Sequence, residues 1–145
     1  MAEFTNFGKE TWDAFRADDR PGPIHMLNLI RLREKAVYPD GRVKTGEEAY
    51  REYSRISAPV LKRLGGSIVW RAGFEMMMVG PDQEKWDVCF VAEYPSVGAF
   101  TEMMRDPTYR EAMGHRQAAV EDSRLVRLIP RLLGDEFADP ATRSV

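Results

Sequence analysis

Glu93 stands near the end of an apolar run, W-D-V-C-F-V-A-E-Y-P-S, residues 86–96. A carboxyl group held against an apolar wall has a raised pKa and can serve as a general base. At the watery end of a strand the same group only pairs with a cation, and Arg71 and Arg116 are the candidate partners. The ion pair is the favoured reading, because Pro95 stops the run and leaves its end near solvent. Asn28 lies among Met26, Leu27, Leu29 and Ile30. A buried amide needs partners, which either a ligand in a mostly apolar cavity or a bulge in its own sheet supplies. His25 and His115 are the two histidines. His25 opens a strand and reads as a rim residue. His115 reads as a helix-surface residue, with a proton shuttle at a cavity mouth as the sharper alternative. The candidate catalytic residues are thus Glu93 and His115, and the candidate ligand contacts are Asn28, Trp70, Arg71 and Arg116.

Other chemistries find little support. Two histidines without helical metal spacing, with Cys89 as the single cysteine, make no zinc site, so no metal or cofactor is expected. Gly65-Gly66 follows a helix, which makes it a cap and not a phosphate loop. Ser54, Ser57 and Ser67 lack the flanking glycines of a nucleophile elbow. Cys89 sits in an apolar run and reads as a small buried hydrophobe. Met76-Met77-Met78 reads as a buried strand before it reads as a soft ligand site.

The 145 residues suit one domain able to bury a core without staples. A net charge of -2 gives no long-range pull on phosphate, so no nucleic acid partner is expected. Arg124, Arg127 and Arg131 read as solvated charges. One cysteine permits no internal disulfide and suits a reducing compartment. The first twelve residues lack the pattern of a signal peptide, and no apolar run nears the ~20 residues of a membrane span. The expectation is a cytoplasmic protein without membrane contact.

These residues need elements to position them. Trp12 and Phe15 share a helical face, which predicts a short helix over residues 9–16, ended by Pro21-Gly22-Pro23. Residues 24–32 form the first core strand, with Ile24, Met26 and Ile30 on one face and Leu27 and Leu29 on the other. Residues 36–44 read as a hairpin insert turning at Pro39-Asp40-Gly41. Thr45 and Glu48 make a capping box, and the helix behind it carries Tyr50, Tyr53, Val60 and Leu64 on one side, with a kink expected near residues 55–58 ahead of Pro59. Residues 67–72 form a second strand, which continues over residues 74–79. Residues 86–94 form a third. A short helix follows through Met104, then a second helix capped by Asp106-Pro107. Residues 124–129 form the last strand. Residues 1–23 are thus an N-terminal extension, 24–130 the domain and 131–145 a tail. This order is a split βαβ pattern, an α+β fold whose four-stranded antiparallel sheet has helices on one face. Two helices cover one sheet face only, yet the first and third strands are apolar on both. The uncovered face predicts a homodimer with sheets packed face to face.

The blocks Val91-Ala-Glu-Tyr-Pro-Ser96, Ala99-Phe100, Asp106-Pro-Thr-Tyr109 and Arg116-Gln-Ala-Ala119 carry a resemblance, with Glu48-Ala-Tyr-Arg-Glu-Tyr53, Ala58-Pro59, Leu64-Gly-Gly66 and Ile68-Val-Trp-Arg-Ala-Gly73. Over roughly residues 24–129 the chain resembles an uncharacterised bacterial family, domain-of-unknown-function family thirteen-thirty. The resemblance implies a ferredoxin-like subunit of the dimeric α+β-barrel superfamily. That superfamily also holds small monooxygenases, lactone isomerases and haem-degrading enzymes. Trp70, Asn28 and His115 loosely resemble the asparagine, tryptophan and histidine set of its small monooxygenases. The main expectation is a dimeric barrel that binds a small apolar or aromatic molecule. The alternatives are a non-enzymatic structural or binding homodimer, and a cofactor-independent monooxygenase or isomerase-like enzyme.

Overall fold

The computed structural model describes residues 3–138. Its elements run α1 (Lys9–Ala17), β1 (Ile24–Leu32), α2 (Gly46–Arg63), β2 (Ser67–Ala72), β3 (Val88–Tyr94), α3 (Val97–Arg105), α4 (Pro107–Ala119) and β4 (Val120–Leu128). The four strands form one sheet in the order β2-β3-β1-β4, antiparallel throughout. This is the ferredoxin-like α+β arrangement.

Helix α2 starts where the capping box places it. The Glu48 amide donates to Thr45 Oγ1 at 3.0 Å, and the Thr45 amide donates to Glu48 Oε1 at 2.8 Å. Only glycine fits at the first helical position, since a Cβ on Gly46 would lie 1.9 Å from the Arg33 carbonyl oxygen. The helix runs through Pro59 and ends at Gly65, whose φ of +84° is the left-handed C-terminal cap. Asp106 caps α4 as expected, accepting from the Tyr109 amide at 3.0 Å, with Pro107 at the first position.

Strand β1 is central, and its register decides which face each side chain takes. Ile24 opposes Tyr94, Met26 opposes Ala92 and Asn28 opposes Phe90, all on the face that packs on the helices. His25 opposes Glu93, Leu27 opposes Val91 and Leu29 opposes Cys89 on the other face. The helix-side core falls into two clusters. One gathers Ile24, Met26, Tyr94 and Phe100 with Val60 and Tyr109; the other gathers Ile30, Tyr38, Tyr50 and Val120. Asn28 sits on β1 between them.

Three expectations are corrected. Residues 74–79 are not strand: Met76, Met78 and Val79 are exposed in a loop. β2 is an edge strand whose pairing ends at Ala72 opposite Cys89, and β3 begins only at Val88, so nothing is left to pair with. Residues 37–43 are not a hairpin of strands. A single bridge, Lys35 to Thr45, closes a loop that turns between Tyr38 and Gly41 and buries Tyr38. The last strand begins earlier than expected, because α4 passes into Val120 without a connecting loop.

Candidate functional site

The N-terminal segment lies over the β4 side of the helix-facing layer. Asp122 Oδ1 accepts from the Phe4 amide at 2.8 Å, and the Ser123 hydroxyl donates to the Phe4 carbonyl at 2.7 Å. Arg127 donates to the carbonyls of Phe15 and Asp18. Trp12 stacks on Phe7 and Phe15, with centroids 5.5 and 5.9 Å apart, and Phe15 packs against Phe100 at 4.9 Å. These aromatic contacts give the segment an apolar underside.

A cavity of about 380 Å³ lies beneath it. Its floor is sheet: Met26, Asn28, Phe90 and Leu125. Its walls are Tyr53 from α2 and Tyr109, Met113 and Arg116 from α4, and its roof is Phe4, Phe7, Trp12 and Phe15. A cavity of 150 Å³ suffices for benzene, so this one has room for about two fused rings. It borders the first of the two core clusters, whose Met26, Tyr94, Phe100 and Tyr109 line it beside Asn28.

Asn28, Arg116, Tyr53, Tyr109 and Ser123 are among the polar side chains that line this space. Asn28 uses its Nδ2 to donate to the Met26 carbonyl at 3.1 Å. Arg116, 9% exposed, donates through Nη1 to the Thr5 carbonyl at 3.1 Å. Tyr53 and Tyr109 share a hydrogen bond of 3.0 Å between their hydroxyls, so one of the two protons remains for another acceptor. Burial pushes the Tyr109 phenol well up, Tyr53 beside it adds to the rise, and Arg116 opposes it. Tyr109 therefore stays a neutral donor at ordinary pH. The Ser123 hydroxyl is taken by Phe4.

The candidate residues named above do not converge. Asn28 and Arg116 both line this cavity. Arg71, opposite Phe90, lines a wider groove of about 810 Å³ between α2 and the exposed edge strand β2. Trp70, opposite Val91, is 48% exposed on the other sheet face. Glu93 is on that face too and bonds neither expected arginine: its Oε2 lies 2.8 Å from His25 Nε2. The pairing follows from register, which sets His25 directly across from Glu93. His115 lies on α4 with its Nδ1 2.7 Å from the Tyr38 hydroxyl. No three or more His, Cys, Asp or Glu among the described residues are placed to hold a metal.

The sequence reading missed two parts of the site. Tyr53 and Tyr109 are 56 positions apart, so nothing local in the sequence signals their contact. The N-terminal segment did carry a signal, since Phe4, Phe7, Trp12 and Phe15 crowd an otherwise polar stretch.

A ferredoxin-like sheet with a roofed, mostly apolar cavity on its helix side defines a small-molecule-sized site on an α+β scaffold. The chain belongs to the family described as Domain of unknown function (DUF1330), whose pattern matches residues 42–129. Among solved structures, it is similar to the methylated RPA0582 protein, at 61% identity and a TM-score of 0.90, over 93% of this chain and 100% of that one. A second structure, of the RPA0582 protein of unknown function from Rhodopseudomonas palustris, is 60% identical with a TM-score of 0.86, covering 89% of this chain and 98% of that one. A dimeric protein of unknown function with a ferredoxin-like fold from Bacteroides fragilis is similar at 13% identity and a TM-score of 0.47, over 73% and 94% of the two chains. No curated protein matches the chain.

Proposed function

We propose that the protein binds a small, largely aromatic molecule in the cavity roofed by residues 4–15. The observation that carries this reading is the 380 Å³ space itself, with aromatic walls and a few polar groups directed into it. Asn28, Tyr53, Tyr109 and Arg116 orient the ligand, and the N-terminal extension keeps water from it. A neutral two-ring probe tests this. Naphthalene-2-carboxamide has about thirteen non-hydrogen atoms, and at ~0.3 kcal/mol each its Kd is about 1 mM or tighter. Methyl-labelled methionine NMR reads the location. Met26, Met104 and Met113 line the cavity and should shift saturably, while Met76 and Met78 in the exposed loop should not. Unmoved signals at the three cavity methionines reject the reading.

The opposite sheet face supports a homodimer. Trp70, Val126 and Leu128 on it are 48%, 42% and 41% exposed, and Leu27, Leu29 and Val91 lie between them. All six residues of β2 are exposed, so an edge strand carrying Ile68, Val69 and Trp70 has no cover. Contiguous apolar surface of this kind is rare on a monomer and marks an association face. Glu93 and His25 belong to this face and act in assembly.

A further inference from the structure

Arg116 is the most buried arginine of the chain's described residues, and the fold gives its charge no counterion. It is 9% exposed. The ion pairs among the described residues join other cations, and none reaches Arg116. One of its five N–H donors goes to the Thr5 carbonyl, a neutral acceptor. Its other nitrogens have no hydrogen-bond partner among the described residues, and the side chain lines the cavity. A guanidinium cannot shed its proton to escape burial, as a lysine or histidine can. Such a group normally appears with a carboxylate in bidentate contact.

The lining as a whole has the same bias. Arg116, Arg124 and Arg127 all border the cavity, and no aspartate or glutamate does, although the chain as a whole carries a net charge of -2. Arg124 is held by Asp122 and Glu84, and Arg127 by the carbonyls of Phe15 and Asp18. Of the three, Arg116 alone has no carboxylate within ion-pair reach among the described residues. Tyr109 and Tyr53 lie beside it with one hydroxyl proton to give, and Asn28 faces it from the sheet.

Resting on the cavity reading above, we infer that the ligand is an aromatic carboxylic acid, bound as its anion. Its carboxylate meets the Arg116 guanidinium, and its ring lies between Phe90 and the N-terminal aromatic roof. The rings supply burial and the arginine supplies discrimination. A planar, two-oxygen anion matches the free edge of the guanidinium, where a neutral amide of the same shape would set an NH2 group against donors.

The test compares naphthalene-2-carboxylate with naphthalene-2-carboxamide on the full-length protein, by calorimetry and by the same methionine NMR. The two probes share size and ring. The expected result is that the acid binds at least tenfold tighter, with shifts at Met26, Met104 and Met113. In Arg116→Gln the ratio of acid to amide affinity should fall to near one; Arg116→Lys should keep part of it. The wild-type ratio needs no variant, so a poorly folding Arg116→Gln does not shelter the inference. An acid that binds no tighter than the amide overturns the role of Arg116 and leaves the cavity reading standing. Failure of both probes to reach the cavity overturns both.

Discussion

Asp122 is the residue that fastens the cavity roof to the sheet, and Asp122→Asn should loosen it. The side chain is 4% exposed and has four donors. Oδ1 accepts from the Phe4 amide at 2.8 Å, the Ser123 amide at 2.9 Å and Arg124 Nη1 at 2.9 Å, and Oδ2 accepts from Arg31 Nη2 at 3.3 Å. Asparagine keeps the shape and one acceptor oxygen, but it loses the charge and turns an NH2 group toward a donor. Charge-assisted bonds contribute about 1.5–3 kcal/mol each and neutral ones about 1. Arg31 and Arg124 keep Glu121 and Glu84, which softens the loss. The net cost is about 3 kcal/mol, which for a chain of this length lowers Tm by roughly 6–12 °C. Hydrogen exchange should show the Phe4 amide and residues 9–17 losing protection beyond the global change. A Tm within a degree of the parent, with Phe4 still protected, would refute the anchoring argument.

The acid limb of the stability curve gives the same anchor an independent check. Burial pushes the Asp122 carboxyl up, while the Phe4 amide, Arg124 and the Ser123 amide pull it down, and the net result lies below the usual carboxylate value. A folded-state pKa below the unfolded one means the carboxylate stabilises the fold in full above the unfolded value near 3.9. That contribution fades as pH falls through the folded value. The gap in stability between the parent and Asp122→Asn should therefore be constant above about pH 5 and close below about pH 4.

Two other perturbations separate the faces of the sheet. Val126→Asp places a charge in the middle of the proposed dimer face, once per subunit; each burial forfeits ~1.5 kcal/mol of apolar contact and strands a charge, so sedimentation equilibrium should show Kd rising at least ~100-fold. A parent chain that already sediments as a monomer would remove the dimer. Glu93→Gln breaks the pair with His25 on that same face, so it should change the dimer constant and leave carboxamide binding within about twofold; a large loss of probe affinity would place Glu93 in the site after all.

Local signals were legible wherever the physics is local. The α2 cap was readable from Thr45 and Glu48, and the α4 cap from Asp106-Pro107, because each needs only a few adjacent residues. The two-sided grease of β1 and β3 gave the sheet and its uncovered face. What failed depended on partners far along the chain. The run Met76-Met77-Met78 has the composition of a strand, but a strand exists only where another edge receives it, and β3 starts too late. The face of Glu93 was unreadable for a related reason. β3 is apolar on both sides, so its pattern fixes no orientation until register sets Glu93 across from His25. Arg116 was read as a partner for Glu93 by charge alone, whereas the sheet itself stands between them.

Asn28 and Arg116 both break the rule that a core is filled with apolar side chains, and they break it at the same place. Asn28 spends its amide on the carbonyl two residues back in its own strand, a bond any surface asparagine could make. A leucine there would add apolar contact worth roughly another 2 kcal/mol. Arg116 carries an uncompensated charge where methionine would pack without desolvation cost. Neither residue is explained by the stability of the fold, and neither sits on the face proposed to meet a second subunit. Departures of this sort, gathered around one cavity, are where a fold gives up stability for function. On the proposed reading the sheet divides its work: the outer face, greasy and bordered by His25 and Glu93, serves association, and the inner face holds the ligand space that Asn28 and Arg116 line.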